Sequence, residues 1–224
     1  MTLNTTSYNE IHLATDRVNA LLLSKRNEYG WWTGNLSTSA LSTATAVMAL
    51  HKAALATSDE IQRLHWQRLI DGGLKWLAEH QNSDGGWGDT VLSISNISTT
   101  MLAHAVFRVN SKTQWDAVIA SSADYIAKVG GVAAVIKRYG KDHTFSVPIL
   151  THCALAGIVE WKDVIPLPFE LACVPHRLYA AVKMPVVSYA LPALIAIGQV
   201  IFKHQGHWNP VMRQIGRASC RERV

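Results

Sequence analysis

Two carboxylates beside a tryptophan are the residues of this chain whose types and spacing first suggest chemistry. Asp84 and Asp89 lie on either side of Trp87 in a glycine-rich stretch. Paired carboxylates can act as general acid and base when their surroundings separate their pKa values. Aspartate also accepts hydrogen bonds from backbone N–H groups in turns and at helix starts. We expect these turn and capping roles to account for both residues.

Metal-ligand patterns are absent from the sequence. The ten histidines are dispersed, none forms an HExxH pair, and no CxxC or Cys/His cluster has the spacing of a zinc site. Cys153 and Cys173 lie among apolar residues, so we expect reduced, buried thiols. We therefore expect neither a metal nor a cofactor.

Composition favours an ordered helical scaffold. The chain has 224 residues, 49% of them hydrophobic and 17% charged, which excludes a disordered class. This length suits one domain with a core, or part of a larger one. Eight tryptophans indicate repeated packing contacts or a surface that meets lipid. We expect no signal peptide, because the first twelve residues lack a basic region and an apolar core. The longest apolar run, residues 186–202, is interrupted and short for a spanning helix.

The last ten residues, 215–224, resemble the translation of a sequencing adapter, with an ordinary basic tail as the alternative. On the adapter interpretation the authentic protein continues beyond Gln214. The net charge is +5, and this tail contributes +2 of it, which leaves +3. The remaining excess is too small and scattered for a nucleic-acid surface, so we expect no nucleic-acid partner. It fits mild attraction to an anionic membrane.

Hydrophobic periodicity predicts helices along most of the chain. Residues 1–9 are expected to form a loose tail, and Pro148 to lie in the first turn of its helix. A proline-rich stretch from Glu160 to Pro185 breaks into short pieces. The predicted helices cover residues 10–26, 39–56, 60–80, 96–109, 114–128, 132–138, a segment from about 144, 169–174, 176–183 and 186–204.

A unit of helix, turn and helix repeats along the first two thirds of the chain. Trp32 and Trp87 lie 55 positions apart, each preceded by a helix and a Gly-containing turn and followed by a helix of small residues. A third unit, after Gln114, has lost the tryptophan. Helical hairpins that repeat at this length predict an α-solenoid or a closed α/α toroid over residues 10–214.

The stretch GLKWLAEHQNSDGGWGD, residues 73–89, resembles the QW motif of squalene-hopene and oxidosqualene cyclases. In that family the motif ties helices together, so it identifies the scaffold and not the chemistry. The turn around Trp32 is a degenerate copy of it. The positions that match the motif are Gly73, Trp76, Leu77, Gln81, Gly85 and Trp87.

The resemblance extends over about residues 10–205 and implies an all-α toroid that forms part of a larger cyclase. Family members have two α/α barrels around a hydrophobic cavity and attach to one membrane face. An Asp-x-Asp-Asp motif protonates a terminal alkene, and aromatic faces stabilise the carbocations. This sequence contains no Asp-x-Asp-Asp. The resemblance therefore implies an N-terminal fragment that is inactive by itself.

Partners and one site residue follow from the same resemblance. Ser188-Tyr189-Ala190 matches a Ser-Trp-Ala segment whose aromatic ring lies against the substrate, so Tyr189 is the expected contact to a linear polyprene such as squalene. The expected surroundings are the cytoplasmic face of a membrane, with peripheral attachment and a homodimer as one assembly.

Two other functional classes remain open from the sequence. One is a toroid like the β subunit of protein prenyltransferases, which requires a zinc site of Asp, Cys and His. The other is a noncatalytic toroid that binds a lipid or a partner protein. Zinc analysis of a longer protein distinguishes the first alternative, and formation of a cyclic product excludes the second.

Overall fold

A computed structural model describes residues 5–34, 37–110, 112–140, 143–165, 177, 181, 191–206, 209–211 and 213–215, and structural statements concern these residues. They form α-helices and turns without a β-strand among them, which confirms the all-α fold class. Two compact units, Met1–Ser37 and Thr38–Val224, divide the chain. Closure into a toroid stays a prediction.

The helices follow the predicted order. Short 3-10 turns at Thr113–Trp115 and Trp161–Asp163 interrupt them. In chain order the α-helices of the described ranges are α1 (Thr5–Ser24), α2 (Ala40–Ala56), α3 (Glu60–Glu79), α4 (Ile97–Val109), α5 (Asp116–Val129), α6 (Gly131–Tyr139), α7 (His143–Leu155) and α8 (Leu191–Gln205).

The first unit contains α1 and the turn that follows it. The helix begins at Thr5 and so extends into the segment 1–9 that was expected to be a loose tail. After α1, Arg26 and Trp32 form an isolated antiparallel bridge that closes the turn.

Helix starts in the second unit follow from side-chain caps. Ser39, Asp59 and Asn96 have extended backbones, and each side chain accepts a hydrogen bond from the N–H three residues on. These bonds satisfy backbone donors that the first helical turn leaves without partners. The caps explain why the predicted starts of α2, α3 and α4 are correct to within one residue.

The core of the second unit is centred on α4. Every residue from Ile97 to Phe107 is buried there, and α2, α3, α5, α6 and α7 all pack against α4. Small residues on α2 allow α3 to approach closely. A Cβ atom added to Gly73 would lie 2.5 Å from Val47 Cγ2, so any larger residue here would displace the Val47 side chain.

Several predictions about the C-terminal half need correction or lie outside the described residues. Pro148 is the sixth residue of α7 and not part of its first turn, because α7 already begins at His143. Cys153 is buried and reduced, as predicted. Cys173, most of the pieces 169–174 and 176–183, and the tail from 216 to 224 lie outside the described residues.

Candidate functional site

The turn between α3 and α4 brings most of the predicted motif residues together. α3 ends at Glu79, and Gly85 has φ of +83°, which a side chain would strain. A Cβ atom on Gly85 would also lie 2.3 Å from Ser121 O. Glycine at this position therefore permits both the tight turn and the close approach of α5.

Trp87 fixes the turn to the end of α3. Its indole Nε1 donates to Leu77 O at 2.9 Å, and its backbone N–H donates to Thr100 Oγ1 at 3.0 Å. The side chain is fully buried and stacks on Phe107 with a centroid separation of 6.0 Å. The ring thus joins α3 to α4 with its polar atom satisfied.

Gln81 links the same turn to a third helix. Its Nε2 donates to Gly85 O at 2.9 Å and to Val118 O, on α5, at 3.3 Å. Its Oε1 accepts from Ser121 Oγ at 3.1 Å. One side-chain amide therefore bridges the end of α3, the turn and α5.

Asp84 and Asp89 act as hydrogen-bond acceptors within the turn, as expected. Asp84 Oδ1 accepts from Gly86 N and from Ser95 Oγ at 3.0 and 2.7 Å. Asp89 Oδ1 accepts from Thr99 Oγ1 and Asn96 Nδ2 at 2.6 and 2.9 Å. The bond from Thr99, with that from Asn96, lowers the pKa of Asp89, although partial burial opposes this. Both carboxylates therefore stabilise the turn and its connection to α4 by accepting hydrogen bonds.

The remaining predicted positions take varied places. Trp76 is half-buried and stacks on His80 at 4.2 Å, one turn further along α3, whereas Leu77 is completely buried. Tyr189 lies outside the described residues. The structure shows which residues these side chains contact. It does not show that they act as the QW motif of the cyclases, so that assignment stays a prediction.

The turn after α1 repeats this arrangement 55 residues earlier. In both turns the indole N–H donates to the carbonyl ten residues before it, at 2.6 and 2.9 Å. The asparagine N–H reaches the carbonyl four residues on at 2.8 and 2.9 Å, and the glycine φ is +87° and +83°. The equivalent pairs are Leu22/Leu77, Arg26/Gln81, Asn27/Asn82, Gly30/Gly85 and Trp32/Trp87. The predicted repeat is thereby confirmed for the helix end and its tryptophan turn, and the pairing of helices into repeated hairpins stays a prediction.

Arg26 is a residue that the sequence reasoning missed. It occupies the place of Gln81, and its Nε donates to Gly30 O at 2.8 Å just as Gln81 Nε2 donates to Gly85 O. Its guanidinium also lies over the Trp32 ring, 5.6 Å from the centroid. The offset of 55 residues between the tryptophans was the signal that could have identified it.

The two copies differ in how far their tryptophans are enclosed. Trp32 is 47% exposed, whereas Trp87 is completely buried.

Among the described residues no three His, Cys, Asp or Glu side chains lie close enough together to hold a metal ion. No described helix is by itself long and apolar enough to cross a membrane; residues 113–129 and 131–139 pass that test jointly, with a bend of 57° between them.

An all-helical fold in which a helix end and its tryptophan turn recur with the same hydrogen bonds defines the chain as an α-helical repeat protein. Residues 15–204 match the squalene-hopene cyclase N-terminal domain, and the chain belongs to that family. Enfumafungin synthase from Hormonema carpetanum is 26% identical over 174 residues, which make up 75% of this chain and 11% of that relative. The chain therefore spans a small part of the curated relative that it matches. No solved structure matches significantly.

Proposed function

We propose that the chain is the N-terminal part of a triterpene cyclase that converts a linear polyprene, such as squalene, to a polycyclic terpenoid by proton-initiated cyclisation. The observation that carries this proposal is the family match over residues 15–204. The Gln81–Trp87 turn supports it, because its residues resemble the end of the QW motif of these cyclases.

The part of the protein described by this sequence is proposed to supply scaffold and cavity wall, and to be inactive alone. An acid that protonates an alkene must itself stay protonated until it reacts, which requires desolvation. Asp89 has the opposite property, since its hydrogen bonds lower its pKa and keep it ionised at neutral pH. The sequence also lacks an Asp-x-Asp-Asp segment. The catalytic acid is therefore proposed to lie elsewhere in a longer protein.

Tyr189 is the proposed substrate contact within this sequence. A phenol ring offers a π face that attracts a carbocation, though less strongly than an indole. In an active longer protein, Tyr189→Phe should keep the product distribution because the π face remains. Tyr189→Leu should shift the distribution toward products of early termination, and an unchanged distribution would remove Tyr189 from the proposal.

Attachment to a membrane surface is proposed as well. Leu92 and Ile94, in the loop before α4, are 94% and 90% exposed, and immersing them in lipid would remove apolar area from water. Cosedimentation with phosphatidylcholine vesicles tests this. Leu92→Ser with Ile94→Ser should release the chain from the vesicles, whereas Ile61→Ser, at an 82% exposed position on α3, should not.

Extension of the reading frame in the source DNA tests the cyclase proposal itself. We expect several hundred further codons that include an Asp-x-Asp-Asp segment. A complete frame without such a segment would refute the proposal. Stoichiometric zinc in the longer protein would instead favour the prenyltransferase-like alternative.

A further inference from the structure

Two buried histidines connect the central helix α4 to α5 and α7. His104 on α4 places Nδ1 2.8 Å from Ser122 Oγ on α5. His152 on α7 places Nε2 3.2 Å from Leu102 O on α4. The two residues are 9% and 7% exposed. Each imidazole is thus part of the contact between two helices.

The hydrogen-bond partners of each histidine determine which ring nitrogen carries its proton. A carbonyl oxygen can only accept, so His152 carries its proton on Nε2. Ser122 directs its single hydroxyl proton to Val118 O at 2.7 Å, so it accepts from His104 Nδ1. Acid would therefore add a proton to Nε2 of His104 and to Nδ1 of His152. The added charges would form within the packed core of this unit.

No carboxylate on the surrounding helices offsets such charges. α2, α4, α6 and α7 contain no Asp or Glu. On α3, Asp71 is paired with Lys112 at 2.9 Å, and Glu60 and Glu79 are paired with lysine or arginine on the same helix. The carboxylates of α5, Asp116 and Asp124, are exposed.

Two carboxylates outside these α-helices also meet α4 or α7: Asp89 accepts from Thr99 in the first turn of α4, and Asp163 belongs to the 3-10 turn that packs on α7. The other titratable groups that meet the two helices are His, Lys, Arg, Tyr and Cys side chains. Arg108, one turn after His104, adds to the burial that lowers the pKa of His104 to about 4. Burial lowers the pKa of His152 to about 4, which the bond to Leu102 O partly opposes. The remaining contacts come from His51 to Asn110, Lys52 to Leu155 O, Tyr139 to Ser98 and Cys153 to Met101 O.

We propose that His104 and His152 form an acid-sensitive latch, whose protonation releases α5 and α7 from α4 while α2 and α3 stay packed. The proposal goes beyond cyclase function, because it requires no substrate. It would make the enclosure of the core by α5 and α7 dependent on pH. The latch is closed well above pH 6.5, where both imidazoles are mostly neutral even when released, and it opens as the pH falls from 6.5 toward 4.

The size of the effect follows from linkage. With a pKa of about 4 in the packed state and 6.5 after release, each histidine favours release roughly 20- to 30-fold more at pH 5 than at pH 7 or above. Two independent histidines together give a factor on the order of several hundred.

Cys153 provides the readout, because it adjoins His152 and is completely buried against α4. The 224-residue chain is labelled with 4,4′-dithiodipyridine between pH 7.5 and 4.5, and the rate at Cys153 is resolved by peptide mapping. Each rate is divided by that of the urea-unfolded chain at the same pH. We expect the normalised rate to rise at least 30-fold between pH 7.5 and 5, while amide exchange shows α2 and α3 still protected.

Glutamine variants test whether the histidines are responsible. Gln retains an N–H donor but does not titrate, so His104→Gln and His152→Gln should each remove about 30-fold of the pH dependence. His65→Gln, at an exposed position on α3, should leave it unchanged. A flat wild-type profile, a double variant with the wild-type profile, or simultaneous loss of protection in α2 and α3 would overturn the latch. If a variant is unfolded at pH 7.5, the wild-type labelling and exchange profiles still decide.

Discussion

Replacing Gln81 with alanine tests the link between the tryptophan turn and α5. The substitution removes the bonds to Gly85 O and Val118 O and the bond received from Ser121 Oγ. A hydrogen bond contributes roughly 1 kcal/mol net, and Gly85 O is left without this donor, whereas Val118 O still accepts from Ser122 Oγ. We predict a decrease in the free energy of unfolding of about 2 to 3 kcal/mol.

Urea and thermal unfolding, followed by tryptophan fluorescence and circular dichroism, measure the effect. For a unit of this size the loss corresponds to a decrease in Tm of roughly 4 to 12 °C. Gln62→Ala is the matched control, because Gln62 is exposed on the same helix. Its substitution should change the free energy of unfolding by less than about 0.5 kcal/mol.

A double-mutant cycle refines the test. Ser121→Ala removes one partner of Gln81, so the two substitutions together should cost about 1 kcal/mol less than the sum of the single changes. A loss of stability in Gln81→Ala no larger than that in Gln62→Ala, or additive effects of the Gln81 and Ser121 substitutions, would show that Gln81 does not link the turn to α5.

Three further predictions concern the same turns. Gly85→Ala should destabilise by more than about 2 kcal/mol, because of its positive φ and its contact with a backbone oxygen, whereas Gly72→Ala, with open space around it in α3, should stabilise by roughly 0.5 to 1 kcal/mol. Trp87→Phe should cost about 1 to 3 kcal/mol by leaving a buried carbonyl without its donor, and Trp32→Phe distinctly less, because that indole is half exposed. Asp89→Asn should destabilise by less than about 1 kcal/mol at pH 7, since solvent screens this carboxylate. Its lowered pKa means that the difference from the wild type persists above pH 3.8 and disappears as the pH falls through the folded-state pKa.

Equilibrium urea unfolding measures all three, with the Asp89 pair compared at pH 7 and at pH 3. Equal effects of the two glycine substitutions would show that the turn tolerates a side chain. Equal costs at the two tryptophans would show that enclosure does not set the strength of the indole bond. A difference between wild type and Asp89→Asn that grew on acidification would contradict the assignment of Asp89 as a stabilising carboxylate.

Local signals explain why much of the helical pattern was predictable. Ser39, Asp59 and Asn96 are caps that can be recognised from sequence, and apolar spacing marked the helices between them. The start of α1 was missed because the polar residues around Thr5 give no apolar spacing there. Pro148 was misplaced although the start of α7 was predicted to within one residue, because even from residue 144 it is the fifth residue and lies beyond the first turn.

The contacts of the site that could not be predicted from the sequence join residues that lie far apart in the chain. Val118 and Ser121, the partners of Gln81, lie 37 and 40 residues away, and no local pattern connects them. His152 likewise meets α4 across 50 residues. Arg26 was hidden for a different reason, since a guanidinium replaces an amide in the same hydrogen bond.

The proposal that this chain is the N-terminal part of a triterpene cyclase is tested most directly by incubating squalene with a protein encoded by the extended reading frame. Mass spectrometry should detect polycyclic products from the longer protein and unchanged squalene from residues 1–214 alone. Substitution of the acid motif in the longer protein should abolish the products. Recovery of unchanged squalene and of related polyprenes from a folded, complete protein would contradict the claim.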